Sequence, residues 1–419
     1  MDKALTMIRL PLLSDRVSPL AMVSGPVPRI TSLLIKPVSA ICNLDCEYCF
    51  YVDRTSDPYR DAPHRIMTVA TLSRLLDGYF AYSYPVSTLA FQGGEPTLAG
   101  LDFFRQVVAL EQRYGRDGQQ VSHSIQTNGV VLDPEWCTFL RENEFLVGLS
   151  LDGPEEIHDR YRYNRFRQST WSRVMAGLGH LSAVGVDVSV LCVVSQANVA
   201  HAQDVYHFFR ELGLTNLQFI PIGEFFDDGT PRPSTVHPAE YGQFLIDLFE
   251  VWWPDRARVR IRFFDNIAEA IAGRKPGCCT LHENCDSYAV VEHNGDVYPC
   301  DFFVEDGWKL GNVLMDSWPE LARRQRRATF AGKKSLLHDD CHVCDYREIC
   351  HGGCPKLRQA RSGQFADLDW LCGAYKAIFA KVIPPLSAEI ARLATHTATS
   401  QGAKPPVIGN QSEARAEYL

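Results

Sequence analysis

Residues 32–49 read Ser-Leu-Leu-Ile-Lys-Pro-Val-Ser-Ala-Ile-Cys-Asn-Leu-Asp-Cys-Glu-Tyr-Cys, and this stretch decides the fold. Ser32–Lys36 is a short apolar run, the pattern of a buried strand. The loop behind it carries Cys42, Cys46 and Cys49 in a C-x3-C-x2-C spacing. With 14 cysteines among 419 residues, chance supplies about 0.015 such triplets. Three thiolates in one loop can bind three irons of a [4Fe–4S] cluster. The fourth iron is then open, and an open position marks a reactive metal site, as it does for zinc. A small bidentate ligand, such as the amino and carboxylate groups of an amino acid, would fill it. The competing reading is a zinc knuckle. It needs a fourth Cys or His at short range, and the nearest candidate, His64, lies across a Pro-containing loop.

From this strand outward, short apolar runs alternate with helical patterns. Strands are expected at Ser32–Lys36, Ser87–Gln92, Ser122–Thr127, Leu146–Leu151, Asp187–Val194 and Leu217–Ile222. Helices are expected at Val69–Tyr82, Leu101–Tyr114, Pro134–Asn143, Thr170–Ala183, Asn198–Leu212 and Pro238–Trp253. Six strands each followed by a helix indicate parallel β/α units. Right-handed crossovers wind such units into a barrel or partial barrel, and strand count alone leaves a doubly wound open sheet as the alternative. Three loops after strands carry special residues: Gln92–Pro96, Gln126–Gly129 and Ser150–Pro154. Each alone is explained by turn chemistry. Three on one rim, at the carboxyl ends of parallel strands, point to a site.

The composition is that of a globular protein. Hydrophobic residues are 46% and charged residues 22%, which excludes bulk disorder and fibrous chains. The length allows two or three domains. With 42 Lys plus Arg against 50 Asp plus Glu the formal charge is −8, unlike the basic footprint of a general nucleic-acid binder. No run of about 18 apolar residues would span a membrane. The N-terminus does not read as a signal peptide, since Asp2, Lys3, Arg9 and Pro11 interrupt any apolar core. A cytoplasmic location is the expectation. Reducing compartments disfavour disulfides, so clustered cysteines there point to metal.

Beyond about Gly273 the alternation stops and cysteines crowd in. Tyr288–Glu292 and Val297–Phe303 flank His293–Asp296, a hairpin with Asn-Gly at its turn. Around it lie Cys279, Cys285 and Cys300, then Cys341, Cys344, Cys350, Cys354 and Cys372. Eight thiolates make two sets of four, suited to closed clusters for electron transfer or structure. Two four-thiolate zinc sites are an equal alternative from the count alone; the rim motif in the same chain favours iron–sulfur. Cys137 and Cys192 read as small buried residues, while Cys278 adjoins Cys279 and competes with it as a ligand. A helix is expected over Ala374–Ala394.

At this point the sequence resembles the radical S-adenosylmethionine superfamily with a SPASM extension, and most closely the anaerobic sulfatase-maturating enzymes. That family shows Cys-Asn-Leu-x-Cys-x-Tyr-Cys-Phe-Tyr, matched by Cys42–Tyr51. Its Tyr-Pro-Cys-Asp is matched by Tyr298–Asp301, and its Ser-Leu-Asp-Gly-Pro and Ile-His-Asp by Ser150–Pro154 and Ile157–Asp159. The likeness runs from about Thr31 to Lys381.

The resemblance implies an α/β fold: a (β/α)6 partial TIM barrel with a C-terminal iron–sulfur (SPASM) domain. The expected divisions are an N-terminal extension at 1–30, the barrel at 31–255, the SPASM domain with its helix at 256–394 and a disordered tail at 395–419. Three [4Fe–4S] clusters and S-adenosylmethionine are the implied cofactors. Cys42, Cys46 and Cys49 would hold the cluster that cleaves S-adenosylmethionine. Tyr48, Gly94, Ser150, Arg162 and Gly223 fall where the family contacts that cofactor; at Gly223 the family commonly has Leu, so only a backbone contact survives there. The family's interleaved ligation assigns Cys279, Cys285, Cys300 and Cys354 to one auxiliary cluster, and Cys341, Cys344, Cys350 and Cys372 to the other. The residues alone would have paired Cys350 with Cys354. Asp301 matches the family's catalytic base.

The implied reaction oxidises a Cys or Ser of a sulfatase polypeptide to Cα-formylglycine. Its partners are that polypeptide and an electron donor such as a flavodoxin or ferredoxin, with no nucleic acid and no membrane, and nothing requires more than a monomer. Two rival readings are an enzyme of the same architecture that crosslinks a small precursor peptide, and a zinc-stabilised binding protein.

Overall fold

The computed structural model describes residues 29–51, 56–286, 288–327, 329–360 and 362–400. Residues 1–28 of the expected extension and 401–419 of the expected tail lie outside these. Six strands form the frame: β1 (Ser32–Lys36), β2 (Val86–Phe91), β3 (Gln120–Thr127), β4 (Leu146–Ser150), β5 (Val188–Val194) and β6 (Asn216–Pro221). All pair in parallel and in sequence order. A doubly wound sheet reverses its strand order at a switch point. No reversal occurs here, so the winding is that of a partial barrel. Leu33, Ile35, Leu89, Phe91, Val190 and Val194 are buried, as expected for strands covered by helices on one side and barrel interior on the other.

The crossover helices Val69–Ser83, Leu101–Tyr114, Pro134–Glu142, Trp171–Val184 and Ala202–Glu211 follow the first five strands, and Pro238–Trp252 follows the sixth. Their ends obey local chemistry. Asp133 accepts the Trp136 N–H at 2.9 Å with Pro134 in the first turn, a side-chain cap on donors that have no intrahelical partner. Gly185 closes another helix in the left-handed region, at φ 69°. The helix expected from Asn198 begins instead at Ala202. Asn198 is occupied elsewhere: its side chain accepts from Ser195 N at 2.8 Å and donates to the carbonyls of Val193 and Asp152 at 2.9 and 3.1 Å. Such local bonding competes with helix formation. A short helix, Glu155–Tyr161, was not expected from the sequence.

The sheet does not end with the barrel. β7 (Arg260–Ile261) pairs with β6. β8 (Ala289–Glu292), β9 (Asp296–Tyr298) and β10 (Gly311–Asn312) form an antiparallel meander, and β8 lies parallel against β1. The result is one ten-stranded sheet in the order β10-β9-β8-β1-β2-β3-β4-β5-β6-β7. The register sets Leu33 opposite Ala289 and Lys36 opposite Glu292. β9 stops before the expected Phe303 because Pro299 has no N–H for a ladder; Asp301–Phe303 is a single 3₁₀ turn.

The last helix, Cys372–Ser400, overruns the expected Ala374–Ala394 at both ends. The tail expected from residue 395 is therefore helical as far as Ser400. Ile378, Phe379 and Val382 of this helix are fully buried and join the core formed with the helices Pro238–Trp252 and Arg262–Ile271. Each such side chain contributes about 1.5–3 kcal/mol relative to exposure. Among the described residues no helix is long and apolar enough to cross a membrane.

Candidate active site

The loop with Cys42, Cys46 and Cys49 leaves the carboxyl end of β1 and is clasped from two sides. Gly94 N–H donates to Ser39 O at 2.7 Å and Glu95 N–H to Ile41 O at 2.8 Å. On the other side Asp45 and Glu47 donate their N–H groups to the carbonyls of Tyr163 and Tyr161, at 2.9 and 3.0 Å. Gly94 has no room for a side chain: a Cβ there would lie 2.1 Å from Ile41 O. Glu95 is buried, and its carboxylate accepts from Thr97 N, Thr97 Oγ1, Thr127 Oγ1 and Asn128 N at 2.7–3.1 Å. Burial raises its carboxyl above the usual range, and these hydrogen bonds partly offset that. Two of the three rim loops are thereby tied together.

Behind the thiols lies a buried polar trio. The Tyr48 hydroxyl donates to Asp152 and accepts from Arg162 Nη1, the latter at 3.0 Å. Ser150 Oγ accepts from Gln126 Nε2 at 2.9 Å. Arg162 Nε and Gln126 Oε1 are buried without a hydrogen-bond partner among the described residues, and such groups are rare unless a ligand meets them. Gly223 sits apart from these residues in its packing: a Cβ there would lie 2.4 Å from Leu357 Cδ2. Burial pushes the Cys42 and Cys46 thiols up to about 12. A metal must displace those protons on binding.

The eight later cysteines fall into two groups. Cys279, Cys285, Cys300 and Cys354 lie within one another's electrostatic reach, and burial raises all four thiols. Cys341, Cys344, Cys350 and Cys372 line one cleft together with Asp369 and Tyr375. The grouping is interleaved, because the chain turns back at Gly352 and Gly353, both at φ near 75°. All 14 cysteines are thiols. Cys137 and Cys192 are fully buried, and Cys278 Sγ rests 2.9 Å from Thr280 Oγ1. Among the described residues no three His, Cys, Asp or Glu converge on a single ion. Four cysteines per set, with no His or carboxylate among the donors, fit a [4Fe–4S] cluster.

Asp301 lies between the rim and the first of these groups. It follows Cys300 directly and is buried. The Tyr51 hydroxyl donates to Asp301 Oδ2. Lys36 Nζ stands 3.4 Å from Oδ1, 2.7 Å from Glu292 Oε1 and 4.5 Å from the centre of the Tyr51 ring. Burial alone would raise the Glu292 carboxyl, but Lys36, His293 and Ser39 hold it below the usual range. Phe50 packs on Phe302, ring centres 4.7 Å apart. No role for Lys36, Glu292 or Tyr51 follows from the sequence. The available signal was a charged residue ending each of two apolar strands at the rim.

Comparison with known proteins adds to this geometry. Residues 37–209 match the radical SAM superfamily, and residues 279–345 match SPASM, an iron–sulfur cluster-binding domain. Over 359 residues the chain is 36% identical to a cysteine-type anaerobic sulfatase-maturating enzyme of Clostridium perfringens, covering 85% of this chain and 97% of that one. A serine-type enzyme of Bacteroides thetaiotaomicron is 34% identical over 379 residues, 86% and 91% of the two chains. The solved structure of native anSMEcpe with bound AdoMet and the Cp18Cys peptide superposes with a TM-score of 0.80 at 35% identity, covering 87% of this chain and 99% of that one. SuiB of Streptococcus suis, at 16% identity and a TM-score of 0.59 over 82% and 77% of the two chains, shares the fold.

Proposed function

The chain belongs to the anaerobic sulfatase-maturating family of radical SAM enzymes, and on that premise we propose that it oxidises a Cys or Ser side chain of a sulfatase polypeptide to Cα-formylglycine. The observation that carries this reading is the hydrogen bond from Tyr51 to Asp301. Tyr51 stands two residues past the last rim cysteine and Asp301 one residue past Cys300, so the bond joins the radical-generating loop to a carboxylate beside a second thiolate set.

When bound, the clusters and S-adenosylmethionine supply one-electron chemistry: removal of a hydrogen atom from the substrate β-carbon and uptake of the second electron. The protein positions the rest. Cys42, Cys46 and Cys49 hold the rim cluster, and Tyr48, Gly94, Ser150, Arg162 and the Gly223 backbone form the S-adenosylmethionine site. Arg162 brings forked donors suited to a carboxylate or ribose. Cys279, Cys285, Cys300 and Cys354 hold the nearer auxiliary cluster; Cys341, Cys344, Cys350 and Cys372 hold the farther. Asp301 takes the proton from the substrate sulfur or oxygen, with Tyr51 and Lys36 fixing its carboxylate. Phe50 and Phe302 keep water from this position. A low-potential donor such as a flavodoxin or ferredoxin supplies the first electron. We place the monomeric enzyme in the cytoplasm, where reducing conditions preserve its thiols.

The test is anaerobic. Reconstituted protein, reductant and S-adenosylmethionine are mixed with peptides bearing Cys-x-Pro-x-Arg and Ser-x-Pro-x-Arg, and products are read by mass spectrometry. Formylglycine in either peptide supports the reading and identifies the target residue. Deoxyadenosine without peptide change would move the activity to another peptide. Asp301→Asn should abolish formylglycine while retaining the iron of all three clusters; a fully active variant would remove Asp301 from the mechanism.

A further inference from the structure

Lys334 is fully buried in the SPASM domain. Its ammonium donates to Cys279 O at 2.6 Å and Thr280 O at 2.9 Å, the carbonyls of the turn that carries the first thiol of the nearer set. Among the described residues no carboxylate lies within ion-pair distance of it. The buried carboxylate of Asp369 feels the Lys334 charge but takes its hydrogen bonds from Cys354 N and Leu371 N at 2.8 and 2.7 Å. A second buried cation holds this arrangement in place. Arg358 donates to the carbonyls of Lys334, Leu336, Gly352, His351 and Phe365 at 2.7–3.5 Å. Gly352 makes room for it, since a Cβ there would lie 2.4 Å from Arg358 Nη2.

Burying an ammonium costs several kcal/mol, and a lysine in such a place ordinarily faces a carboxylate. Lys334 faces carbonyls and thiols. Its field acts on Cys279, Cys285 and Cys354. Around the other set the corresponding lysine is Lys376, which is exposed, and buried Arg358 acts on both sets, through Cys341 and Cys285; Lys334 is the buried cation that acts on the nearer set alone. Reducing a four-thiolate cluster adds one negative charge, and a fixed cation in a low-dielectric interior favours that change.

Resting on the reading that Cys279, Cys285, Cys300 and Cys354 hold a [4Fe–4S] cluster, we propose that Lys334 is the built-in counter-charge that raises the reduction potential of that cluster. The step it serves balances. The substrate β-carbon gives a hydrogen atom to the radical derived from S-adenosylmethionine, and the heteroatom gives a proton to Asp301. One electron passes to the cluster as the carbon–oxygen or carbon–sulfur double bond forms. Lys334 touches no substrate; it acts through the cluster.

The experiment is a redox titration of the reconstituted holoenzyme followed by electron paramagnetic resonance, without peptide. The nearer cluster's signal is identified by its loss in Cys285→Ser. Lys334→Gln should make reduction of this cluster at least tenfold less favourable, a fall of 59 mV for one electron. Lys334→Arg should stay within threefold of wild type, and the other two clusters should move less than threefold in every variant. Lys334→Met repeats the measurement if the Gln variant loads its iron incompletely. An unchanged midpoint in a fully loaded variant overturns the proposal. So does an equal shift of all three clusters, or failure of both neutral variants to hold the nearer cluster. Absence of auxiliary signals in the wild type would instead sink the cluster reading itself.

Discussion

Gly94 and His158 are each held by a constraint that a single substitution exposes. A methyl group at Gly94 would press on Ile41 O, 2.1 Å away, one residue before Cys42. Gly94→Ala should therefore displace the rim loop: iron content falls by about a third, S-adenosylmethionine cleavage is lost, and the auxiliary signals persist. His158 is fully buried beside Thr170. Burial, and then the field of Arg162, lower its imidazole to about 2. An unfolded histidine titrates near 6.5. Below that pH the unfolded chain takes up a proton that the native state excludes. The stability contributed is complete above pH 6.5 and falls as the pH drops toward the folded value. Between pH 7.5 and 5.5 the loss is about 1.4 kcal/mol. Anaerobic unfolding at both pH values should show wild type losing this much more than His158→Gln; equal losses would place the imidazole's neutrality in error.

Among the elements, the pairing of β1 with β8 sets the active-site charges. It brings Lys36 opposite Glu292, and the two form a buried ion pair at 2.7 Å. Removing one member leaves the other charge uncompensated, which costs about 3–5 kcal/mol. Lys36→Met should lower stability by that amount in denaturant titrations, and Lys36→Met combined with Glu292→Leu should recover the part due to Glu292 while leaving the part due to Asp301, 3.4 Å from the same ammonium. An unaltered single variant would mean that the pair does not hold the register. The strands themselves were legible: all six appear within two residues of the runs read from hydrophobic pattern. The rim triplet was legible from its spacing and the eight later thiols from their count, but their interleaved division was implied only by the family resemblance, since the residues alone pair Cys350 with Cys354. Lys36, Glu292 and Tyr51 were not, because each acquires its role from a partner far along the chain, brought near only by strand pairing. Asn198 was misread for a related reason: its side chain serves the β4 and β5 ends, and helical periodicity carries no mark of that.

The molecule as a whole is organised by its single sheet. The expected division near residue 255 falls inside it. A chain ending at Asp255 would lose β7 to β10 and leave β1 as an unpaired edge, with Leu33 and Ile35, both fully buried in the intact protein, no longer covered on that flank. Exposed apolar edges recruit other chains. The truncated protein should aggregate at concentrations where the full chain passes size-exclusion chromatography as one peak; a monodisperse fragment would show that the barrel does not depend on β8. The same continuity constrains what the enzyme can act on. Two halves that share a hydrogen-bonded ladder cannot swing apart like jaws to admit a globular guest, so the guest must supply the suppleness. On the proposed function, a polypeptide reaching Asp301 would enter as an extended segment and not as a folded domain.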